Sequence, residues 1–374
     1  MVIPPNDRGP TKYFQGRGAI RKLFLSRLNQ YDQSRSGSTF LITGAPGAGK
    51  SALLDVLGKD ATQLGWRVKT NISPAHFARP AMMADALGVK YTPRKLGRTT
   101  LDFKILRNVW YREREKAPSV TDILHMASKR QPLLLVLDEA QHVETLADLP
   151  IDKAAATATL DAIHNGEIGF PLILLAGGLD TSEKAMSTLG VSRITAANSV
   201  RLGPMRLEEA EVVIRDYVHG EFGELVPDHW IGTISEPTHG WPQHIVCYAN
   251  AVGNLLLSLG RAPKDSDLDM AIDHGRVEQV AYYAARAHDI TRGQREILAH
   301  LFNQIPWEGA VRGSVVINAL CEKYSVKVAE ETFDRALRQG VLSQTIDGDY
   351  QVPIPSMQQW LVDEYGPDRA HATT

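Results

Sequence analysis

Eighteen residues, LITGAPGAGKSALLDVLG from Leu41 to Gly58, combine an apolar strand, a glycine-rich turn and the start of a helix. The stretch matches the pattern G-x-x-x-x-G-K-[ST] through Gly44, Gly49, Lys50 and Ser51. Glycines let the backbone adopt positive φ angles and curl its N–H groups around a phosphate, and the helix N-terminus adds a positive dipole end. Because both flanks fit, the stretch predicts a phosphate-binding loop rather than a chance glycine turn.

The chemistry of this loop assigns a role to each polar side chain. We expect the Lys50 ammonium to reach the β- and γ-phosphates of a nucleotide, and the Ser51 hydroxyl to hold Mg²⁺. The predicted nucleotide contacts of the loop are Gly44, Ala45, Pro46, Gly47, Ala48, Gly49, Lys50, Ser51 and Ala52.

A second strand supplies acidic partners. The run PLLLVLDEAQH, Pro132 to His142, is continuously apolar up to Asp138 and Glu139, which is typical of a strand buried on both faces of a parallel sheet. Acidic residues at the carboxyl end of such a strand face the ligand crevice. We predict that Asp138 holds Mg²⁺ and that Glu139 orients or deprotonates the attacking water, which favours hydrolysis over phosphate transfer to an acceptor. The alternative is a solvated strand end.

Length and composition narrow the class of protein. A chain of 374 residues divides into two or three domains, and 43% hydrophobic with 22% charged residues is ordinary for a soluble globular protein. The sequence has no apolar run long enough to cross a membrane, and its start, MVIPPNDRGP, lacks the features of a secretory signal. We therefore expect a cytoplasmic protein without membrane contact. Cys247 and Cys321 are far apart, so we expect two reduced thiols and neither a disulfide nor a zinc site.

Upstream of the loop, YFQGRGAIRKLFLSRL places Phe14, Gly16 and Arg17 in an F-x-G-R box. With the two phosphate motifs, this box makes nearly the whole chain resemble AAA+ ATPases, in the group of origin-recognition initiators, STAND-type switch NTPases and TniB/TnsC-like transposition regulators. The resemblance implies that Phe14 and Arg17 lie against adenine. The alternative is that this segment is only an amphipathic helix with Ile20, Leu23, Phe24 and Leu28 buried, and the two interpretations are compatible.

The resemblance also implies residues that sense the γ-phosphate. The strand Leu172 to Ala176 is followed by Asp180 and Thr181, the nearest candidates for a polar sensor, although AGGLD departs from the usual Asn or Thr. Arg193 precedes the last strand, at the position of the arginine finger that a neighbouring subunit inserts. Arg201 is its rival, and a solvated surface arginine is the alternative for either residue.

From residue 207 the pattern becomes helical, which predicts a lid. Its first helix presents an apolar stripe, and the next long helix opens with Gly240, Trp241 and Pro242, where a proline costs no hydrogen bond. This turn resembles the G-x-P turn of STAND proteins and implies nucleotide contact by Pro242. No arginine sits there, and His244 is the nearest polar substitute, against the alternative of a structural histidine. The stripe comprises Leu207, Ala210, Val213, Ile214, Tyr217 and Val218.

The C-terminal segment 291–365 has the outline of a winged helix: three helical patterns followed by two short strands around an Asp-Gly turn. In its third helix, Ala329, Phe333, Ala336 and Leu337 face inward and leave no basic face outside. Residues 289–364 carry seven basic and eleven acidic side chains, and duplex DNA binding requires an excess of basic ones. This charge balance favours a protein-contact or regulatory role for the segment.

The segment from Lys90 to Lys116 is strongly basic, with nine basic and three acidic residues and with Tyr91, Trp110 and Tyr111 interleaved. Basic residues beside aromatic ones suit a nucleic-acid backbone and its exposed bases. Local pairing of charges along a solvated helix, as YREREK suggests, is the alternative.

Together these patterns predict an α/β fold: a three-layer P-loop NTPase (AAA+) with a parallel sheet, a helical lid and a C-terminal winged-helix domain. We expect an ATPase that binds ATP and Mg²⁺, forms a homo-oligomer, and acts on duplex DNA or recruits a DNA-processing partner. A STAND-like signalling or defence adaptor is the alternative, and a metabolic ATPase or kinase is a third that no acceptor motif supports. The predicted boundaries are an N-terminal segment (1–38), the ATPase core (39–205), the lid (206–287), the winged helix (288–366) and a tail (367–374).

Overall fold

A computed structural model describes residues 13–91, 118–148, 150–191, 194–195, 197–305, 307, 309–344 and 348–366. Its central element is a parallel sheet of five strands in the order β2-β3-β4-β1-β5. The register pairs Gly37 and Leu133 with Leu172, so three neighbouring strands start level and end at one edge. The strands are β1 (Gly37–Gly44), β2 (Arg67–Lys69), β3 (Leu133–Leu137), β4 (Leu172–Gly178) and β5 (Ser199–Leu202).

The sheet is covered by helices on both faces. Side chains alternate across a strand, so Phe40 and Ile42 enter one apolar core while Leu41 enters the other. The first core contains Phe24 of α1 and Leu53 of α2, and the second lies under the remaining core helices. These are α1 (Gly18–Ser34), α2 (Lys50–Gln63), α3 (Pro74–Ala78), α4 (Pro80–Leu87), α5 (Val120–Ser128), α6 (Pro150–His164) and α7 (Thr181–Ser187), with a 3₁₀ segment at Ala140–Asp148.

This arrangement follows from the strand sequences. Every residue of β1, β3 and β4 is buried, as expected for strands sandwiched between two helical layers. The predicted three-layer α/β fold with a parallel sheet is confirmed.

A helical segment follows the sheet and has its own apolar core, to which Ile214, Trp230 and Val252 contribute. Glycines allow its helices to approach closely: a Cβ atom on Gly253 would lie 2.3 Å from the Phe222 ring. Leu207 was predicted in the buried stripe, but it is 41% exposed because it is the first residue of its helix. The helices are α8 (Leu207–Phe222), α9 (Asp228–Ser235), α10 (Pro242–Leu259) and α11 (Asp265–Arg286).

The C-terminal segment adds three helices, an antiparallel hairpin and a last helix. In α14 Ala329, Phe333 and Ala336 are buried and Leu337 is half-buried. The segment packs into the same apolar core as α1 and α2. Its elements are α12 (Arg292–Gln304), α13 (Gly313–Cys321), α14 (Val326–Arg338), β6 (Ser343–Gln344), β7 (Tyr350–Gln351) and α15 (Pro355–Tyr365). The identification as a winged helix and the domain boundaries remain predictions.

Among the described residues, no helix has both the length and the apolar character needed to cross a bilayer.

Cys247 is buried and Cys321 half-buried, and both are free thiols. Burial, together with the nearby Glu278 carboxylate, raises the pKa of Cys247 to about 12, so this thiol stays protonated.

The helical segment α8–α11 corresponds to the predicted lid and is called the lid below. The contact between α10 and α11 yields a test of its packing. A Cβ atom on Gly275 would lie 2.4 Å from the Tyr248 ring, whereas nothing lies within 4 Å of the corresponding position on Gly232. We expect Gly275→Ala to lower the free energy of unfolding by about 1–3 kcal/mol through overpacking. Gly232→Ala removes a helical glycine without a clash and is expected to raise it by up to about 1 kcal/mol. Calorimetric unfolding of both variants measures the difference, and equal effects would contradict this packing.

Candidate phosphate-binding site

The loop between β1 and α2 has a backbone path that requires glycine. Gly47 and Gly49 have φ angles of 77° and 87°, in the left-handed region that residues with a Cβ atom rarely adopt. Gly44, at the end of β1, lies so close to β5 that a Cβ atom there would be 2.9 Å from the Leu202 carbonyl oxygen. The glycines therefore permit both the curled loop and its tight seating on the sheet.

Lys50 is the first residue of α2 and is only 7% exposed. Its Nζ donates hydrogen bonds to the carbonyl oxygens of Gly44, at 2.8 Å, and Ala45, at 3.0 Å. Burial lowers the pKa of the Lys50 ammonium; the Glu139 and Asp138 carboxylates oppose that shift, and the Arg286 guanidinium adds to it. The ammonium is thus held inside the loop, among charges of both signs.

Ser51 joins the loop to the acidic strand end. Its Oγ donates a hydrogen bond to Oδ2 of Asp138 at 2.7 Å, which brings together two residues that the sequence predicted to hold one metal ion. Hydroxyl and carboxylate oxygens are the hard ligands that Mg²⁺ prefers, and Mg²⁺ is usually completed by phosphate oxygens and water. Ser51 and Asp138 therefore fit a site in which Mg²⁺ is held together with phosphate oxygens and water.

Glu139 follows Asp138 in a strained conformation. Its φ angle is 56°, which is uncommon for a residue other than glycine and costs on the order of 1 kcal/mol or more. Its side chain accepts a hydrogen bond from the Gln141 amide, and Oε1 of Gln141 accepts from the Leu179 N–H at 3.1 Å and from Ser182 Oγ at 3.2 Å. Gln141, which sequence analysis missed, therefore ties Glu139 to the end of β4.

The lid lies directly on the loop. The Gln243 N–H donates to the Gly47 carbonyl oxygen at 3.2 Å, and the Tyr282 hydroxyl donates to the Pro46 carbonyl oxygen at 2.9 Å. A Cβ atom on Gly49 would lie 3.7 Å from the Pro242 ring. The predicted residue Pro242 is thus beside the loop. Tyr282 carries no sequence signal, because it belongs to no motif.

The N-terminal box links the core to the lid. Arg17 has a φ angle of 58°, and its guanidinium donates to the carbonyl oxygen of Gly203, which follows β5. Tyr13 donates from its hydroxyl to Glu221 of α8 at 2.8 Å, and Phe14 is partly buried against the core. The N-terminal segment therefore contacts the sheet through Phe14 and Arg17 and the lid through Tyr13, and contact of Phe14 and Arg17 with adenine stays a prediction.

The candidate sensor Asp180 and the candidate finger Arg201 bind each other. Asp180 accepts a hydrogen bond from the Arg201 guanidinium at 2.7 Å, and the same guanidinium donates to Ser343 Oγ of β6 at 2.7 Å. Thr181 begins α7, and Arg193 lies outside the described residues. Arg201 thus bridges the core and the C-terminal segment within one chain, and would have to leave both partners to act on a neighbouring subunit.

His244 is fully buried in α10. Its Nδ1 lies 3.2 Å from the Thr238 carbonyl oxygen and 3.1 Å from the Gln279 amide nitrogen. Burial lowers the pKa of His244 to about 4, so the imidazole is neutral at pH 7. A neutral, hydrogen-bonded histidine does not supply the positive charge of a sensor arginine.

A cavity of about 540 Å³ lies where the three parts of the chain meet. Arg201 and Leu202 border it from β5, Trp241 and His244 from the lid, and residues 351–356 from the C-terminal segment. The C-terminal segment therefore meets the sheet and the lid around this cavity, in addition to its apolar contacts in the core that it shares with α1 and α2.

Comparisons with known proteins concern the fold of the chain that carries this site. Residues 33–178 match the family model of the AAA domain. The chain is similar to the Aeropyrum pernix ORC2 protein in its ADPNP–ADP complexes, with 12% identity, a TM-score of 0.53 and 96% of each chain covered. For the ADP form of that protein the TM-score is 0.54 at 12% identity, over 95% of this chain and 93% of that chain. A search of curated proteins found no match.

At such low identity the structural likeness concerns the fold alone. The fold is that of P-loop AAA+ ATPases, so this part of the predicted resemblance is confirmed, at the level of an AAA domain followed by a helical C-terminal region.

The bridge formed by Arg201 makes a measurable prediction. Arg201→Ala removes the guanidinium that donates to both Asp180 and Ser343. A lost charged hydrogen bond costs about 1–3 kcal/mol. We expect faster amide hydrogen exchange in β6, β7 and the start of α7. Arg215→Ala, which breaks an exposed lid pair with Asp228, is the matched control. Unchanged exchange in β6 and β7 would show that the bridge does not hold the C-terminal segment.

Proposed function

We propose that the protein is an ATP-binding and ATP-hydrolysing molecular switch that assembles when nucleotide is bound. The observation that carries the proposal is the 2.7 Å hydrogen bond between Ser51 of the glycine-rich loop and Asp138 of the neighbouring strand. It supports one site in which a phosphate-binding loop and a metal-binding carboxylate meet.

In this proposal each residue has a defined task. The backbone amides from Gly47 to Ser51 and the Lys50 ammonium bind the phosphates. Ser51 and Asp138 hold Mg²⁺, which when bound neutralises phosphate charge. Glu139 orients the attacking water, and its strained backbone and its bond from Gln141 support a fixed position for that carboxylate.

Adenine is the proposed base, held by Phe14 and Arg17 from one side and Pro242 from the other. The Aeropyrum pernix ORC2 protein, whose fold is similar, was solved with ADPNP and ADP, which supports this choice. The sequence also contains no N-K-x-D motif for reading guanine.

Assembly into a homo-oligomer is proposed through Arg193, which reaches the γ-phosphate of a neighbouring subunit and stabilises charge in the transition state. The proposed modules are the ATPase core, the lid and a winged helix, with the boundaries given by the sequence. The basic segment from Lys90 to Lys116 is the proposed contact for duplex DNA, and residues 92–116 of it lie outside the described residues. The proposed role of the acidic winged helix is to bind a partner protein.

A second function, a STAND-like adaptor in which nucleotide holds a closed state, is favoured by one observation. The C-terminal segment packs against the phosphate-binding loop: a Cβ atom on Gly340 would lie 2.4 Å from the Pro46 ring. An adaptor of this class acts through protein contacts. Duplex DNA binding that falls steeply with added salt would count against it.

Nucleotide binding is tested first with Lys50. We expect Lys50→Ala to abolish detectable ATP binding, because it removes the one ammonium buried within the loop. Lys59→Ala, on the same helix but paired with Asp55 at the surface, should bind like the wild type. Isothermal titration with ATP and Mg²⁺ measures both variants. Unchanged ATP affinity in Lys50→Ala would contradict the assignment of the loop.

Assembly is tested with Glu139. Glu139→Gln keeps the shape of the side chain but removes the carboxylate that orients water, so we expect bound ATP to persist and trap the assembly. Sedimentation velocity with saturating ATP, with and without duplex DNA, measures its size. If Glu139→Gln stays monomeric under both conditions, assembly is refuted. Growth only with DNA would favour the DNA-acting switch over the adaptor.

A further inference from the structure

The lid turn that the sequence predicted to contact the nucleotide carries no cation. The turn from Gly240 to Pro242 contains no arginine, and His244 is buried and neutral. A different lid helix, α11, has its C-terminal end beside the same loop. It ends at Arg286, one helical turn after Tyr282.

Tyr282 fixes the end of α11 against the phosphate-binding loop. Its hydroxyl donates to the Pro46 carbonyl oxygen at 2.9 Å, and its side chain is buried, with only 5% of the residue exposed. The same hydroxyl lies 2.7 Å from the position that a Cβ atom on Gly47 would occupy. The phenol therefore rests on the mouth of the loop, and whatever packs on the phenol is close to that mouth.

Arg286 packs on this phenol. Its Cζ lies 5.7 Å from the centroid of the Tyr282 ring, within the range of a cation–π contact. The residue is half-buried. In the described part of the chain the guanidinium forms no ion pair with a carboxylate.

Arg286 and Lys50 bring two cations to one loop: Arg286 packs on Tyr282, whose hydroxyl donates to the Pro46 carbonyl oxygen, and Lys50 Nζ donates to the carbonyl oxygens of Gly44 and Ala45. The Arg286 guanidinium and the carboxylates of Asp138, Glu139 and Asp180 all act electrostatically on the Lys50 ammonium. Two like charges held beside one loop repel each other, and an anion bound between them relieves that repulsion.

We propose that Arg286 contacts the terminal phosphates of the bound nucleotide and supplies, from the end of α11, the cation that the lid turn lacks. The inference rests on the proposed function, since it assumes a nucleotide in the loop. It makes Arg286 the side chain through which the lid detects that the phosphates are present. A purely structural role, packing on Tyr282 and stabilising the helix C-terminus, is the alternative.

Three substitutions separate these roles. Arg286→Met keeps a long stem over the Tyr282 ring but removes the charge, Arg286→Lys keeps a charge, and Arg292→Ala removes an exposed arginine that pairs with Glu296. We expect Arg286→Met to weaken ATP binding by about tenfold or more, as for a lost charged hydrogen bond. Arg286→Lys should recover part of this loss, and Arg292→Ala should change affinity by less than about twofold.

The readout is isothermal titration of the full chain with ATP and with ADP, alongside thermal unfolding without nucleotide. A loss for ATP alone assigns the contact to the γ-phosphate, and a loss for both nucleotides assigns it to the β-phosphate. If Arg286→Met binds both like the wild type, the inference is wrong and the proposed function stands. Equal losses in Arg286→Met and Arg286→Lys, with lowered melting temperatures, would establish the structural role instead. If the wild type binds neither nucleotide, the proposed function fails, and the inference with it.

Discussion

The close contact between the lid and the glycine-rich loop is the constraint on which the arrangement of the whole chain depends. The carbonyl oxygens of Pro46 and Gly47 accept hydrogen bonds from Tyr282 and Gln243, and Gly340 of the C-terminal segment packs against Pro46. Such approach is sterically allowed because the loop has no side chain at Gly47. The core, the lid and the C-terminal segment, which are far apart in sequence, thus meet on one short turn. A shift of that turn changes the contacts of all three.

This meeting point gives a physical reason why bound phosphate and overall arrangement are coupled in the proposed switch. In the proposed switch, a phosphate on the loop amides would contact the Lys50 ammonium and the Arg286 guanidinium, and so would link the end of α11 to the core. On the other side, Arg201 joins Asp180, at the end of β4, to Ser343 of the C-terminal segment. Coupling between sites is typically worth about 1–3 kcal/mol, which a few charged hydrogen bonds of this kind supply.

The sequence predicted those features that reside in contiguous patterns. The loop around Lys50 and the buried strands β3 and β4 follow from a motif and from unbroken apolar runs, and the inward face of α14 follows from helical periodicity. The bridge from Arg201 and the approach of Tyr282 to Pro46 could not be predicted, because they depend on how segments more than 100 residues apart pack together. Leu207 shows the same limit locally: periodicity placed it on a buried face, but the packing of α8 begins only after its first residue.

The central claim, that the loop and the neighbouring acidic strand hold a nucleotide with its metal, is tested most directly by a crystal structure of the chain with a non-hydrolysable ATP analogue and Mg²⁺. The account predicts triphosphate density along the amides from Gly47 to Ser51, with the metal on Ser51 Oγ. An analogue bound away from this loop, or no bound analogue at saturating concentration, would contradict it.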